Sequence, residues 1–284
     1  MDKRDTKNLI SAIDLLIDKS GELVNKHGVD SKPGSISSKE LSSFQRPLSL
    51  KTAYSQGHTF VEVAGDQLMA FSRTLKEPIQ TIAPFTCGRS VLESCSLAVW
   101  LLNNEIDSNE RVKRSLAFRF EGMTQQKKLA VSSRTKNGLD DIEIQTDKII
   151  QTAKDLGYQV FCNRKNKITG VATRMPSITE LIKNILNKEF DYRLLSAVAH
   201  AHHFALAQTS FAKYSDSEDE EIFLYEKSLT PVFILYLCQL TSEVFTNAVR
   251  NLTKLHGTFD PEYEFLFKET KDIMDIFYNK LNQI

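Results

Sequence analysis

One segment limits the possible folds more than any other: Pro84–Leu102 (PFTCGRSVLESCSLAVWLL) is apolar on nearly every side of a helix, broken only by Arg89 and Glu93. Such a helix belongs at the centre of a bundle, because no face of it is suited to water. The same 3.6-residue period recurs elsewhere. Ile10, Ile13, Leu16, Ile17, Leu23 and Val24 predict an amphipathic helix over Thr6–Lys26, and Phe60, Val63, Ala64, Leu68, Phe71 and Leu75 predict another from Gly57 to the neighbourhood of Pro78. Asp107 or Ser108 caps a charged helix over Asn109–Ser133, and a further helix covers Leu139–Leu156. Ser177-Ile-Thr-Glu180 reads as a capping box, Phe190–Lys213 as a helix, and Thr230-Pro231 and Asp260-Pro261 as two more helix starts. The fold class is therefore all-α, a helical bundle of about 7–9 helices. One short β-hairpin is expected near 158–172, where Tyr158–Phe161 and Ile168–Ala172 break the helical pattern.

Residues 1–43 read as an N-terminal helical arm and linker, since Gly28–Ser43 is rich in Ser, Gly and Lys; residues 44–284 read as the helical bundle domain. Ser215–Glu221 (SDSEDEE) reads as a solvated acidic loop.

Composition sets limits on function. With 36 basic and 36 acidic residues in 284, the chain lacks the basic surplus of a non-specific nucleic-acid binder, so any nucleic-acid contact is confined to a patch or pocket. Cys87, Cys95, Cys162 and Cys238 form no CxxC pair, and read as small buried hydrophobes in a reducing compartment. The N-terminus carries charges within its apolar pattern, unlike a signal peptide, and no window holds 18 uninterrupted apolar residues. The expected location is cytoplasmic, with no membrane contact and no cofactor.

Two constellations carry chemistry. In Asp191–Phe204 (DYRLLSAVAHAHHF), Arg193, Ser196, His200 and His203 fall within roughly a third of a helical circumference, opposite Leu194, Leu195 and Val198. A histidine moves protons near neutral pH and an arginine holds phosphate, which together suit metal-independent cleavage of a phosphodiester by its own 2′-hydroxyl. The bland reading pairs Arg193 with a carboxylate and packs the histidines between helices. No carboxylate or cysteine stands at ligand spacing beside the histidines, so no metal is expected. The second constellation is Arg89 and Glu93, four apart on one helix face and surrounded by apolar residues: a polar pocket or a buried ion-pair network. Arg111, Lys113, Arg114, Arg119 and Lys127-Lys128 read first as a solvated charged face.

GRSVLESCSLAVWLLNNEIDSNERVKRSL, followed further along by YRLLSAVAHAHHFAL, resembles bacterial helical proteins distantly related to the HEPN group, over roughly residues 57–215. HEPN ribonucleases carry an arginine and a histidine a few residues apart on one helix, and Arg193 and His200 resemble that motif. The residue after the arginine, commonly polar in catalytic members, is Leu194 here. The resemblance implies a HEPN-like core, a homodimer with two such helices facing each other, and RNA as substrate. It further implies a toxin or phage-defence role, with His200 as acid/base, Arg193 as phosphate ligand and Ser196 as supporting donor. The alternative is a non-catalytic helical scaffold or a module that binds a protein partner or nucleotide.

Overall fold

A computed structural model describes residues 3–27, 31–133, 138–216 and 223–281. It is an all-α bundle with eleven α-helices among the described residues: α1 (Lys3–His27), α2 (Ile36–Ser43), α3 (Pro47–Thr74), α4 (Ala83–Leu102), α5 (Ser108–Ser132), α6 (Leu139–Asp155), α7 (Ile178–Leu181), α8 (Glu189–Ala199), α9 (His203–Thr209), α10 (Pro231–His256) and α11 (Pro261–Leu281). A π turn, Ile182–Leu186, continues α7. The count exceeds the expected seven to nine by α2, which shows no clear apolar period, and by α9, split from the expected Phe190–Lys213 helix.

Helix α4 occupies the centre, packed against α3, α10, α8 and α5, with Phe85, Leu92, Cys95, Leu101 and Leu102 fully buried. Its approach to α3 is close. A β-carbon on Gly57 would lie 2.4 Å from a methyl of Leu102, so only glycine fits there without movement. Helix α1 lays Leu9, Ile13, Leu16 and Leu23 against α11, α3 and α10, and these residues belong to the same continuous core as α4.

The expected starts of the long helices hold. Asp107 accepts the Glu110 N–H at 2.7 Å, Ser177 and Glu180 form the reciprocal capping box, and Thr230-Pro231 opens α10, which closes at Gly257 in the left-handed conformation. By length and composition α10 could cross a membrane, but 67% of its most apolar stretch is buried inside the bundle.

Three elements differ from the sequence expectation. Ile36–Ser43 is helical, not linker: Ser35 caps it, Ser37 is buried against His256, and Glu40 grips Arg111. Phe190–Lys213 is not one helix. It breaks at His200–His202, and Phe211–Asp216 (β3) pairs antiparallel with Phe223–Lys227 (β4). The acidic stretch therefore belongs partly to a strand, while 217–222 lie outside the described residues. The expected hairpin forms from β1 (Val160–Cys162) and β2 (Ile168–Val171), with Val160 opposite Val171. Cys95 and Cys238 are buried as expected, whereas Cys162 lies exposed on β1 and Cys87 is half-buried.

Arg111 also departs from expectation, being fully buried at 0% exposure instead of belonging to a solvated face. Only its position on α5, directly over the last carbonyls of α4, puts it there.

Candidate functional site

The break after α8 shapes the site. His200 is the C-cap, and Ala201 adopts φ 55°. The Ala201 N–H reaches Val198 O at 3.0 Å and the His202 N–H reaches Ala197 O at 2.9 Å, the paired bonds of a Schellman closure. Glycine normally fills that left-handed position, and a side chain there costs about 1–2 kcal/mol. Ala201→Gly should therefore raise stability by about 1 kcal/mol, read as a higher urea midpoint with an unchanged m-value. A lower midpoint would show that the alanine methyl makes a contact worth more than the strain.

The His200 side chain meets α4 rather than Arg193. Arg89 Nη1 donates to His200 Nε2 at 3.1 Å, Arg89 Nε to Glu93 Oε1 at 2.9 Å and Arg89 Nη2 to Tyr192 Oη at 3.5 Å. Tyr192 Oη donates to the same Glu93 oxygen at 2.9 Å, and the Arg89 guanidinium lies 5.5 Å from the Tyr192 ring centroid. Arg89, Glu93 and Tyr192 thus close a ring of polar contacts, and His200 joins it through Arg89. Burial pulls the Arg89 guanidinium down, but its bonds to Glu93 and Tyr192 outweigh this and leave it above the ordinary arginine value. Burial, then the bond to Glu93, push the Tyr192 phenol upward, so it stays protonated and donates. The cluster is not enclosed as the apolar neighbours suggested: the side chains of Arg89 and Glu93 keep 26% and 31% exposure. His200 is exposed at its edge.

The remaining expected residues lie apart from this ring. Arg193 projects into solvent with 67% of its side chain exposed, holding Glu189 Oε1 through Nη2 at 2.8 Å. Arg193, then Lys183, hold the Glu189 carboxyl below its usual range. No bond joins Arg193 to His200 among the described residues. The shared stripe required a helix continuing to position 200 and beyond, and α8 ends at Ala199. Ser196 is half-buried, its hydroxyl oxygen enclosed and without a partner among the described residues. His203 opens α9, exposed. Beside it the rings of His200, His202 and Phe204 follow one another at 6.5 and 6.0 Å, with Phe204 exposed.

Tyr192 was missed by sequence reasoning. It precedes Arg193 in the same DYR run, but as a single aromatic on a helix it reads as core. Among the described residues no three of His, Cys, Asp or Glu converge as a metal-binding group.

Comparison with known protein families, curated proteins and solved structures gives no significant match.

Proposed function

We propose that the chain is a HEPN-like, metal-independent endoribonuclease in which Arg89, not Arg193, is the phosphate ligand of His200. The observation that carries this reading is the 3.1 Å contact between Arg89 and His200 at a solvent-open edge. Cleavage by a 2′-hydroxyl needs a proton acceptor near that hydroxyl and a fixed positive charge near the phosphoryl oxygens. Arg89 occupies the His200 Nε2 lone pair in this geometry, so the 2′-hydroxyl takes Arg89's place on Nε2 when Arg89 turns to the phosphate; Arg89 is itself oriented by Glu93 and Tyr192. The exposed Phe204 beside His202 offers an unpaired base a stacking surface. The homodimer and the toxin or phage-defence setting rest on the resemblance alone, and the cytoplasmic location on the cysteine pattern and the charged N-terminal helix.

A second reading, a non-catalytic module that binds a protein partner, draws on the pairing of both arginines: Arg89 already has Glu93, and Arg193 has Glu189. The two readings separate on incubating labelled structured RNA with the full chain in EDTA. The enzyme should yield products ending in 2′,3′-cyclic phosphate. His200→Ala and Arg89→Ala should each lower the rate by about 10²–10⁴-fold, the usual contribution of a positioned proton-transfer group. Arg193→Ala should stay within a few-fold of wild type. Uncut RNA with folded wild-type protein, or equal rates for all variants, sinks the catalytic reading.

A further inference from the structure

We propose that the cavity enclosed by α5, α6 and β2 is a binding site for a purine nucleotide, separate from the Arg89–His200 cluster. The cavity measures about 710 Å³, within the range that takes small ligands. Phe120, Met123 and Ile168 give it an apolar floor, and Lys128 from α5 and Lys167 from the start of the β2 segment stand at its rim. These two cations come from elements far apart in sequence, and neither has a carboxylate partner among the described residues. Their neighbour Lys127 differs, being bound to Glu143 at 2.7 Å.

In a chain whose formal charge is zero, the lining carries three lysines, Lys127, Lys128 and Lys167, against two carboxylates, Glu143 and Asp147. The fold brings Lys128 of the charged helix and Lys167 of the hairpin to the same hollow.

The combination selects a ligand. A flat apolar body suits the floor, and a chain of phosphates suits the lysines, since ammonium-to-phosphate bonds are the stronger, charge-assisted kind. Asp147, exposed on the α6 side of the same cavity, supplies an acceptor for ribose hydroxyls or a base amine. A simple acyl chain would leave that carboxylate unused. A purine ribonucleotide satisfies all three surfaces.

Isothermal titration of the full chain tests this with magnesium-free ATP, AMP and inorganic tripolyphosphate as probes, against wild type and a Lys128→Gln/Lys167→Gln double variant. ATP should give saturable heat, with AMP and tripolyphosphate each at least about tenfold weaker, since each lacks one half of the recognised chemistry. The double variant should weaken ATP by about tenfold or more, a loss of about 1.4 kcal/mol or greater. Both substitutions are on the surface, so circular dichroism and melting should match wild type. Three results overturn the proposal: no saturable heat with ATP, equal binding of ATP and tripolyphosphate, or less than a threefold loss in the double variant. RNA cleavage is not the readout, so this test stands or falls independently of the ribonuclease reading.

Discussion

Arg111→Ala should destabilise the protein by about 3–5 kcal/mol, the cost of removing one partner from a buried ion pair. The side chain is wholly enclosed. Its Nε and Nη2 reach the two oxygens of Glu40 on α2 at 3.1 and 3.2 Å. Nη1 donates to Leu101 O at 2.6 Å, and Nη2 also reaches Asn103 O at 3.1 Å. Those carbonyls end α4 and have no partner within their own helix, so the guanidinium both fills the vacancy and places positive charge at the negative end of the helix dipole. The Tyr54 ring lies 5.8 Å from the guanidinium carbon, and its hydroxyl bonds Glu40. Truncation would strand a buried carboxylate and at least two carbonyls together. Against a typical total of about 5–15 kcal/mol, urea denaturation should show a large fall in midpoint. Removing Glu40 as well should cost less than the sum of the single losses, since the second change removes the stranded charge. A single-variant loss below about 1 kcal/mol would show that water reaches the site and replaces the arginine.

Leu102→Ala should cost about 2–5 kcal/mol, and the partner across the contact makes the outcome specific. Leu102 is fully buried, and its methyl and branch carbons occupy the space where Gly57 has no side chain. In wild type, Gly57→Ala should cost about 1–3 kcal/mol through overpacking, despite alanine's better helix propensity. In the Leu102→Ala background the same substitution should become neutral or stabilising, because it fills part of the new cavity. This sign change is measurable in a double-mutant cycle by urea denaturation. Additive losses would mean that α3 and α4 slide to absorb each change separately.

These cases show which parts of the fold were readable from sequence. Asp107, Ser177 and Thr230-Pro231 announce helix starts by local chemistry, and the structure follows them. Helix α2 announces nothing, because ISSKELSS has little apolar period; it is held by Arg111 and His256, which are remote in sequence. At the site, Arg89, Glu93 and His200 were recognisable as polar groups on apolar helices, and they do meet. Their geometry was not recognisable. Alanine favours helix more than any other residue, so nothing local warns that Ala201 turns left-handed, ends the helix and parts His203 from the Arg193 stripe; nor does the sequence show that Arg89 of α4 takes up His200. Tyr192 became visible as part of the ring only once α4 and α8 were placed side by side.

The seating of α1 on α11 has a consequence for how the chain is made. Lys280 bonds Asp5 across 275 positions of sequence, and Lys19 bonds Glu262 at 2.6 Å toward the other end of the helix pair. During synthesis, Leu9, Ile13 and Leu16 leave the ribosome long before the helix that covers them exists. At about 5–20 residues per second α3 follows far sooner, but the side of the stripe that α11 covers stays open for roughly 12–50 seconds. For that interval the nascent protein presents a sticky apolar ridge of the kind that chaperones bind.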